Sequence, residues 1–150
     1  MKKTTKNPSK KVLSVLLVMV TLAGILLLSA CQSEKLVIKD SDTYIVIKTT
    51  AEAMNGATDM YLMDYMETLK QKGELEFSIS NGMITSINGI DNPADYSSCW
   101  MLYTSDEENA NAAWGTVEYD GKEYGSAVSG AEALKIKADN LYIWVYKSFE

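Results

Sequence analysis

Two cysteines, eight methionines and twenty carboxylates carry most of the reactive chemistry open to this 150-residue chain. There is no His, and all 14 basic residues are Lys. The missing imidazole excludes a Ser-His-Asp triad, a Cys-His pair and any His-ligated metal. The missing guanidinium excludes a bidentate clamp on phosphate or carboxylate. Met60, Met63 and Met66 could offer thioethers to a soft metal, but their spacing reads first as helix packing. Asp91, Asn92 and Asp95, or Asp106 to Glu108, could offer oxygens to calcium, although neither group has EF-hand spacing. No carboxylate pair is marked by its spacing as an acid and a base. The expectation is a binding or structural module that is not an enzyme and holds no metal.

The two thiols differ in setting. Lys2, Lys3, Lys6, Lys10 and Lys11 form a positive start without an acid, and Val12 to Ala30 is almost wholly apolar up to Leu28-Ser29-Ala30-Cys31. A charged start, an apolar run and small residues before a cut describe a secretory signal over residues 1–30. Leu28-Ser29-Ala30-Cys31 resembles the lipobox of bacterial lipoproteins, which implies a diacylglyceryl thioether on Cys31 and cleavage before it. An uncleaved membrane span is the alternative. Both place the remaining chain outside the cytoplasm, the first as a lipid-anchored protein at the cell membrane. Cys99 then lacks a partner and reads as a small buried strand residue.

After cleavage, 120 residues would carry nine Lys against the same 20 acids, a net charge of -11. Such acidity repels nucleic acid and anionic head groups, so the acyl chains must do the anchoring. The chain is long enough for one domain with its own core. Gln32 to Lys35 is a polar tether, and Leu36-Val37-Ile38 is either its end or a short strand. The linker is set at 31–42 and the domain at 43–150.

Within that domain, Tyr44 to Ile47 reads as a strand. A helix is expected from Thr58, with Leu62, Tyr65, Met66 and Leu69 as its buried stripe and Gly73 as its stop. Glu74 to Ser80 alternates, with Leu75, Phe77 and Ile79 on one face. Asn81-Gly82 should turn this strand into Met83 to Ile87 as a hairpin. Asn88-Gly89 ends that strand, Cys99 to Tyr103 forms the next, and Asp106 to Asn109 reads as a solvated loop. The stretch through Trp114-Gly115 and Asp120-Gly121 reads as loose. Leu134 to Lys137 and Leu141 to Tyr146 read as closing strands, with Tyr142, Trp144 and Tyr146 sharing a face. The fold class is α+β, a mostly antiparallel sheet on one helix.

The helix Tyr61 to Met66, the stretch Ile84-Thr85-Ser86-Ile87-Asn88-Gly89-Ile90, the strand Cys99-Trp100-Met101-Leu102-Tyr103 and the terminal Ile143-Trp144-Val145-Tyr146 together resemble the transcobalamin-like C-terminal domain. This bacterial family is related to the small domain of vitamin B12 carriers. The resemblance covers roughly Tyr44 to Tyr146, although Asp139-Asn140 stands where the family has a glycine-aspartate turn. It implies a β-grasp-like fold and half of a cobalamin pocket, with no further cofactor required. A corrinoid needs aromatic area and exposed amide-like groups more than charge. Tyr96, Trp100, Tyr103 and Trp114 could supply the area, and the Asn88-Gly89 loop the backbone groups. Trp100 and Tyr103 lie three apart and must face opposite sides of their strand, so one of them should be core.

The resulting expectation is an anchored binding lipoprotein for a corrinoid or similar amphipathic ligand, partnered by the membrane and by an uptake transporter or surface protein. The alternatives are a surface module for protein or glycan and an acidic metal-binding domain. Replacing Cys31 with Ser should leave an unlipidated, uncleaved precursor. Metabolic labelling with a fatty-acid analogue tests this, and label on the Cys31→Ser protein would contradict lipidation at that thiol.

Overall fold

β-Branched and aromatic residues at both ends of the domain meet in the middle of its sheet. The computed structural model describes residues 34–149, so the signal segment and Cys31 lie outside the described residues. Tyr44–Lys48 (β2) pairs antiparallel with Leu141–Ser148 (β9), setting Ile45 opposite Trp144 and Ile47 opposite Tyr142. Val37–Ser41 (β1) pairs with the outer edge of β2. The sheet therefore begins inside the segment assigned to the linker, and the boundary at residue 42 is too late. Ser98–Thr104 (β6) takes the other side of β9, from Ser98 opposite Ser148 to Thr104 opposite Tyr142.

Beyond β6, the stretch expected to be loose forms two strands, Ala110–Tyr119 (β7) and Lys122–Ala127 (β8). They are joined at Asp120-Gly121, whose φ values of 51° and 71° are those of a tight hairpin turn. The order is β1-β2-β9-β6-β8-β7, antiparallel throughout. Ala and Asn give the first half of β7 little strand propensity of its own, whereas Thr116 to Tyr119 alternates as a strand and pairs with β8. Its register shifts between Asn111 and Thr116, which leaves Ala112, Ala113 and Trp114 projecting as an exposed bulge.

The helix α1 spans Leu62–Gln71, four residues later than Thr58 suggested, with Tyr61 as its N-cap. The reason is tertiary. Leu62 and Met63 donate their amides to the carbonyls of Leu134 and Ala131, and Ile136 donates to Met60. Residues 60 to 63 are thus held by a strap that follows Gly130, and helical geometry starts only past it. That strap is not the strand expected at Leu134 to Lys137; it makes a single bridge, Lys135 to Tyr61. The stripe Leu62, Tyr65, Met66 and Leu69 is buried, as the spacing predicts. Met63 is buried as well, and Met60 packs at the core's edge.

Phe77–Ser80 (β3), Met83–Ile87 (β4) and Ile90–Asp91 (β5) form a second, three-stranded sheet. Asn81-Gly82 makes the expected hairpin, with φ of 49° and 77°, and Asn88-Gly89 makes the next. A bulge at Ser78/Ile79 breaks the alternation, so Leu75 and Phe77 are buried while Ile79 is exposed.

The large sheet is covered on both faces. Ile45, Ile47, Trp100, Leu102, Tyr142 and Trp144 pack with α1 and the small sheet. On the opposite face Val46, Tyr103 and Ile143 form a second cluster under Val117, Tyr119 and Tyr124 of the β7–β8 hairpin. Tyr44 ties that hairpin down: its hydroxyl donates to the Glu118 carbonyl at 2.7 Å, and its ring stacks on Tyr119. Burial, and then the charge of Asp40, push the Tyr44 hydroxyl up to about 12. Trp100 and Tyr103 do face opposite sides, yet both are core, 5% and 2% exposed. The architecture is α+β and mainly β.

Asp106 is another correction. It is buried rather than solvated, and it accepts from Lys137 Nζ at 2.9 Å, from Asn109 Nδ2 at 2.7 Å and from the Glu108 amide at 3.3 Å. Burial pushes its carboxyl up, but these bonds outweigh that and hold it below the usual range. Lys137 is raised in turn, first by Glu108 and then by Asp106.

Two tests follow from this packing. Leu69→Ala should destabilise by about 2–5 kcal/mol, the range for truncating a buried leucine, read by chemical denaturation. Asp106→Asn should cost about 1–2 kcal/mol at neutral pH, toward the low end because Lys137 stays half in water. A depressed carboxyl stabilises fully above its unfolded pKa and loses that contribution as the pH falls through its folded one. The gap between wild type and Asp106→Asn should therefore close in acid. A gap that persists there would assign the effect to neutral hydrogen bonds.

Candidate ligand cleft

Between β6 and the small sheet lies a gap that the large sheet does not fill. β8 pairs with β6 only at Tyr103 and Thr104, so the first half of β6 has no strand on that side. Asn92 takes the place of one. Its Oδ1 accepts from the Trp100 amide at 3.1 Å, its Nδ2 donates to the Ile84 carbonyl at 2.9 Å, and its own amide donates to Thr85. Trp100 Nε1 donates to Ile90 at 2.9 Å, and Tyr146 Oη to Asp91 at 3.0 Å. These bonds fasten β4 and β5 to the large sheet at a fixed spacing and leave a cleft of about 210 Å³ beside them.

One wall is the β3–β4 hairpin through Gly82, Met83 and Ile84, and another is Asn92 with Tyr96. The sheet contributes Cys99, Trp100 and Trp144, and the strap bonded to the start of α1 contributes Gly130 and Ala131. Among the described residues no charged side chain lines it, although the Glu132 carboxylate stands against Gly82 at its edge. Gly82 is left-handed, and at φ 77° an added Cβ would be strained and would displace the end of the Glu132 side chain. Tyr96 is also left-handed, at φ 53°, in a tight loop where its amide donates to Pro93 and Asp95 accepts from the Ser97 amide and hydroxyl. Those two bonds hold the Asp95 carboxyl below its ordinary range. A bulky residue at positive φ is costly, and the loop's bonds sustain it. The ring stands at the mouth, 55% exposed.

Polar groups inside are few, and most are engaged. The Asn92 amide and the Trp100 indole are used as described above. Burial pushes the Cys99 thiol up, and it lies 3.6 Å from Met101 Sδ, on the strand face opposite the Trp100 ring. Trp144 is 4% exposed, and its indole N–H is buried with no hydrogen-bond partner among the described residues. An apolar cavity of about 150 Å³ takes a benzene ring, whereas drug-sized ligands occupy about 300 Å³ or more. The cleft therefore suits one ring or branched alkyl group.

Of the residues expected at a site, the structure brings Tyr96 and Trp100 to this cleft. Asn88 and Gly89 form the β4–β5 turn, where the Asn88 Oδ1 accepts from the Glu76 amide at 3.2 Å. Tyr103 lies under the hairpin on the far face, beneath Lys147 Nζ at 4.8 Å from its ring centroid. Trp114 is 62% exposed on the β7 bulge, outside the cleft. Met83, Trp144, Gly130 and Ala131 were missed. Alternation put Trp144 on the helix face, but nothing local in sequence brings the strap to it. Both groups weighed for calcium have carboxylates engaged within the protein, Asp95 by Ser97 and Asp106 by Lys137.

No protein-family model matches the chain, and no curated protein or solved structure shows detectable similarity to it. Among the described residues, no helix is long and apolar enough to cross a membrane.

Proposed function

We propose that the chain is an extracytoplasmic lipoprotein, anchored through Cys31, whose domain holds an amphipathic ligand at this cleft. The observation that carries the reading is a mainly apolar cleft with an exposed aromatic at its mouth. A corrinoid is the first ligand to test, on the resemblance to the transcobalamin-like domain and its β-grasp-like arrangement of sheet and helix. The cleft is too small for the macrocycle. The ring would lie across Met83 and Tyr96 at the mouth, with one amide arm entering. The acyl anchor would keep the domain near an uptake transporter that receives the ligand, and no catalytic step is required.

Calorimetric titration of the full lipidated protein with cobinamide and with cobalamin tests this. Tyr96→Ala should weaken binding about tenfold, the upper worth of one aromatic contact, with little change in Tm. Trp114→Ala should leave affinity unchanged, because that ring stands elsewhere. No heat with either corrinoid would remove the corrinoid reading and favour a surface module for protein or glycan.

A further inference from the structure

The cleft is apolar inside and negative at its rim. The strap that forms one wall makes a tight turn, in which the Gly130 carbonyl accepts from the Ala133 and Leu134 amides. That turn buries Ala131 and Leu134 and leaves Glu132 exposed at its crest. The Glu132 carboxylate reaches across to the β3–β4 hairpin and rests against Gly82, where the missing side chain leaves room for it. Among the described residues no Lys pairs with it: the ion pairs go to Asp59, Asp106 and Glu108. Lys147 of β9 lies on the opposite face, over the Tyr103 ring. On the other wall Asp95 precedes Tyr96, and the Ser97 amide and hydroxyl that bond to it are neutral donors that leave its charge in place. Beyond residue 30, nine Lys stand against 20 acids, so the wider surface has the same sign and draws cations toward it.

We propose that the cleft binds an amphipathic cation: an apolar group of about one ring that enters between Met83, Ile84 and Ala131, on a short arm ending in an ammonium that the Glu132 carboxylate holds at the rim. Glu132 is then the specificity-determining residue of the site, and the apolar walls supply shape and burial. The ammonium keeps water on its outer side, so it escapes the cost of burying a charge. Tyr96 at the mouth adds an aromatic ring, which favours a cation over an anion. An anion of the same shape meets Glu132 and Asp95 as like charges, and a neutral analogue gains only the burial of its ring. This rests on the cleft being a ligand site, whatever larger molecule the amine belongs to.

Three matched probes test this: 2-phenylethylamine, 2-phenylethanol and 3-phenylpropionate, titrated into the full-length protein in nonionic detergent with free probe measured in the same sample. The amine and the alcohol should both shift the Gly82 and Ala131 amides in NMR spectra. The amine should bind about three- to fivefold more tightly than the alcohol, the worth of one exposed ion pair, and the carboxylate more weakly than either. Added salt should shrink the preference for the amine. Glu132→Gln should bring amine and alcohol to about equal affinity with Tm unchanged, because this exposed carboxylate pairs with no Lys of the fold. Glu118→Gln, which removes a charge from β7 outside the cleft, should leave the preference intact. Equal affinities in the wild type with Gly82 and Ala131 shifting would overturn the cation preference and leave the cleft standing as a site. An equal loss of preference in both variants would assign it to overall charge and overturn the role of Glu132. Absence of any shift at Gly82 and Ala131 with all three probes would overturn the cleft reading itself, and this one with it.

Discussion

Insertion of β9 between β2 and β6 supports the rest of the domain, because without it neither the large sheet nor either core is complete. β1 and β2 form one hairpin near the start of the fold, and β7 and β8 form another far along the chain. Only β9 joins them, through β2 on one edge and β6 on the other. Its side chains serve both cores: Tyr142 and Trp144 enter the helix face, and Ile143 the opposite face. The last strand to be made thus supplies the central pairings. Such long-range closure must be met before most contacts reward it, which points to slow folding.

The cleft follows from the same arrangement. β6 is paired to β9 along its full length but to β8 only at its end. The unpaired stretch needs partners for its amides, and the Asn92 side chain supplies one in place of a strand. A side chain that substitutes for a strand leaves less matter behind it than a strand would. The opening is bounded by the two sheets on one side and the strap that delays α1 on the other. The strap also accepts the first amides of the helix, so the same backbone bonds that set the helix start set one wall of the cleft.

Local chemistry made some of this legible. The stripe of α1, the Asn-Gly hairpin at Asn81-Gly82 and the shared face of Tyr142 and Trp144 follow from periods and turn types that act over a few residues. Other features depend on distant partners. Trp100 and Tyr103 are both core because the β7–β8 hairpin folds back over the second face, which alternation along one strand cannot show. The first half of β7 is a strand because β8 pairs with it. Asp106 is buried because Lys137, far along the chain, arrives to neutralise it. The site suffered most from this. Tyr96 and Trp100 lie near each other in sequence and could be grouped, but Trp144 and the strap reach the cleft only through the completed sheet.

Two buried side-chain donors have no partner among the described residues, Asn88 Nδ2 and Trp144 Nε1, and their settings differ. Leaving a buried donor unpaired costs about 1–3 kcal/mol. Asn88 has a structural return for that cost. Its Oδ1 and its amide both bond to Glu76, and it holds the φ of 48° that the β4–β5 turn requires. Few residues tolerate that conformation as well as Asn. Trp144 has no such return. Its backbone is ordinary strand, and its N–H has no partner among the described residues. That contrast separates the Trp144 indole, sealed in the core of β9 between β2 and β6, from the turn amide at Asn88-Gly89.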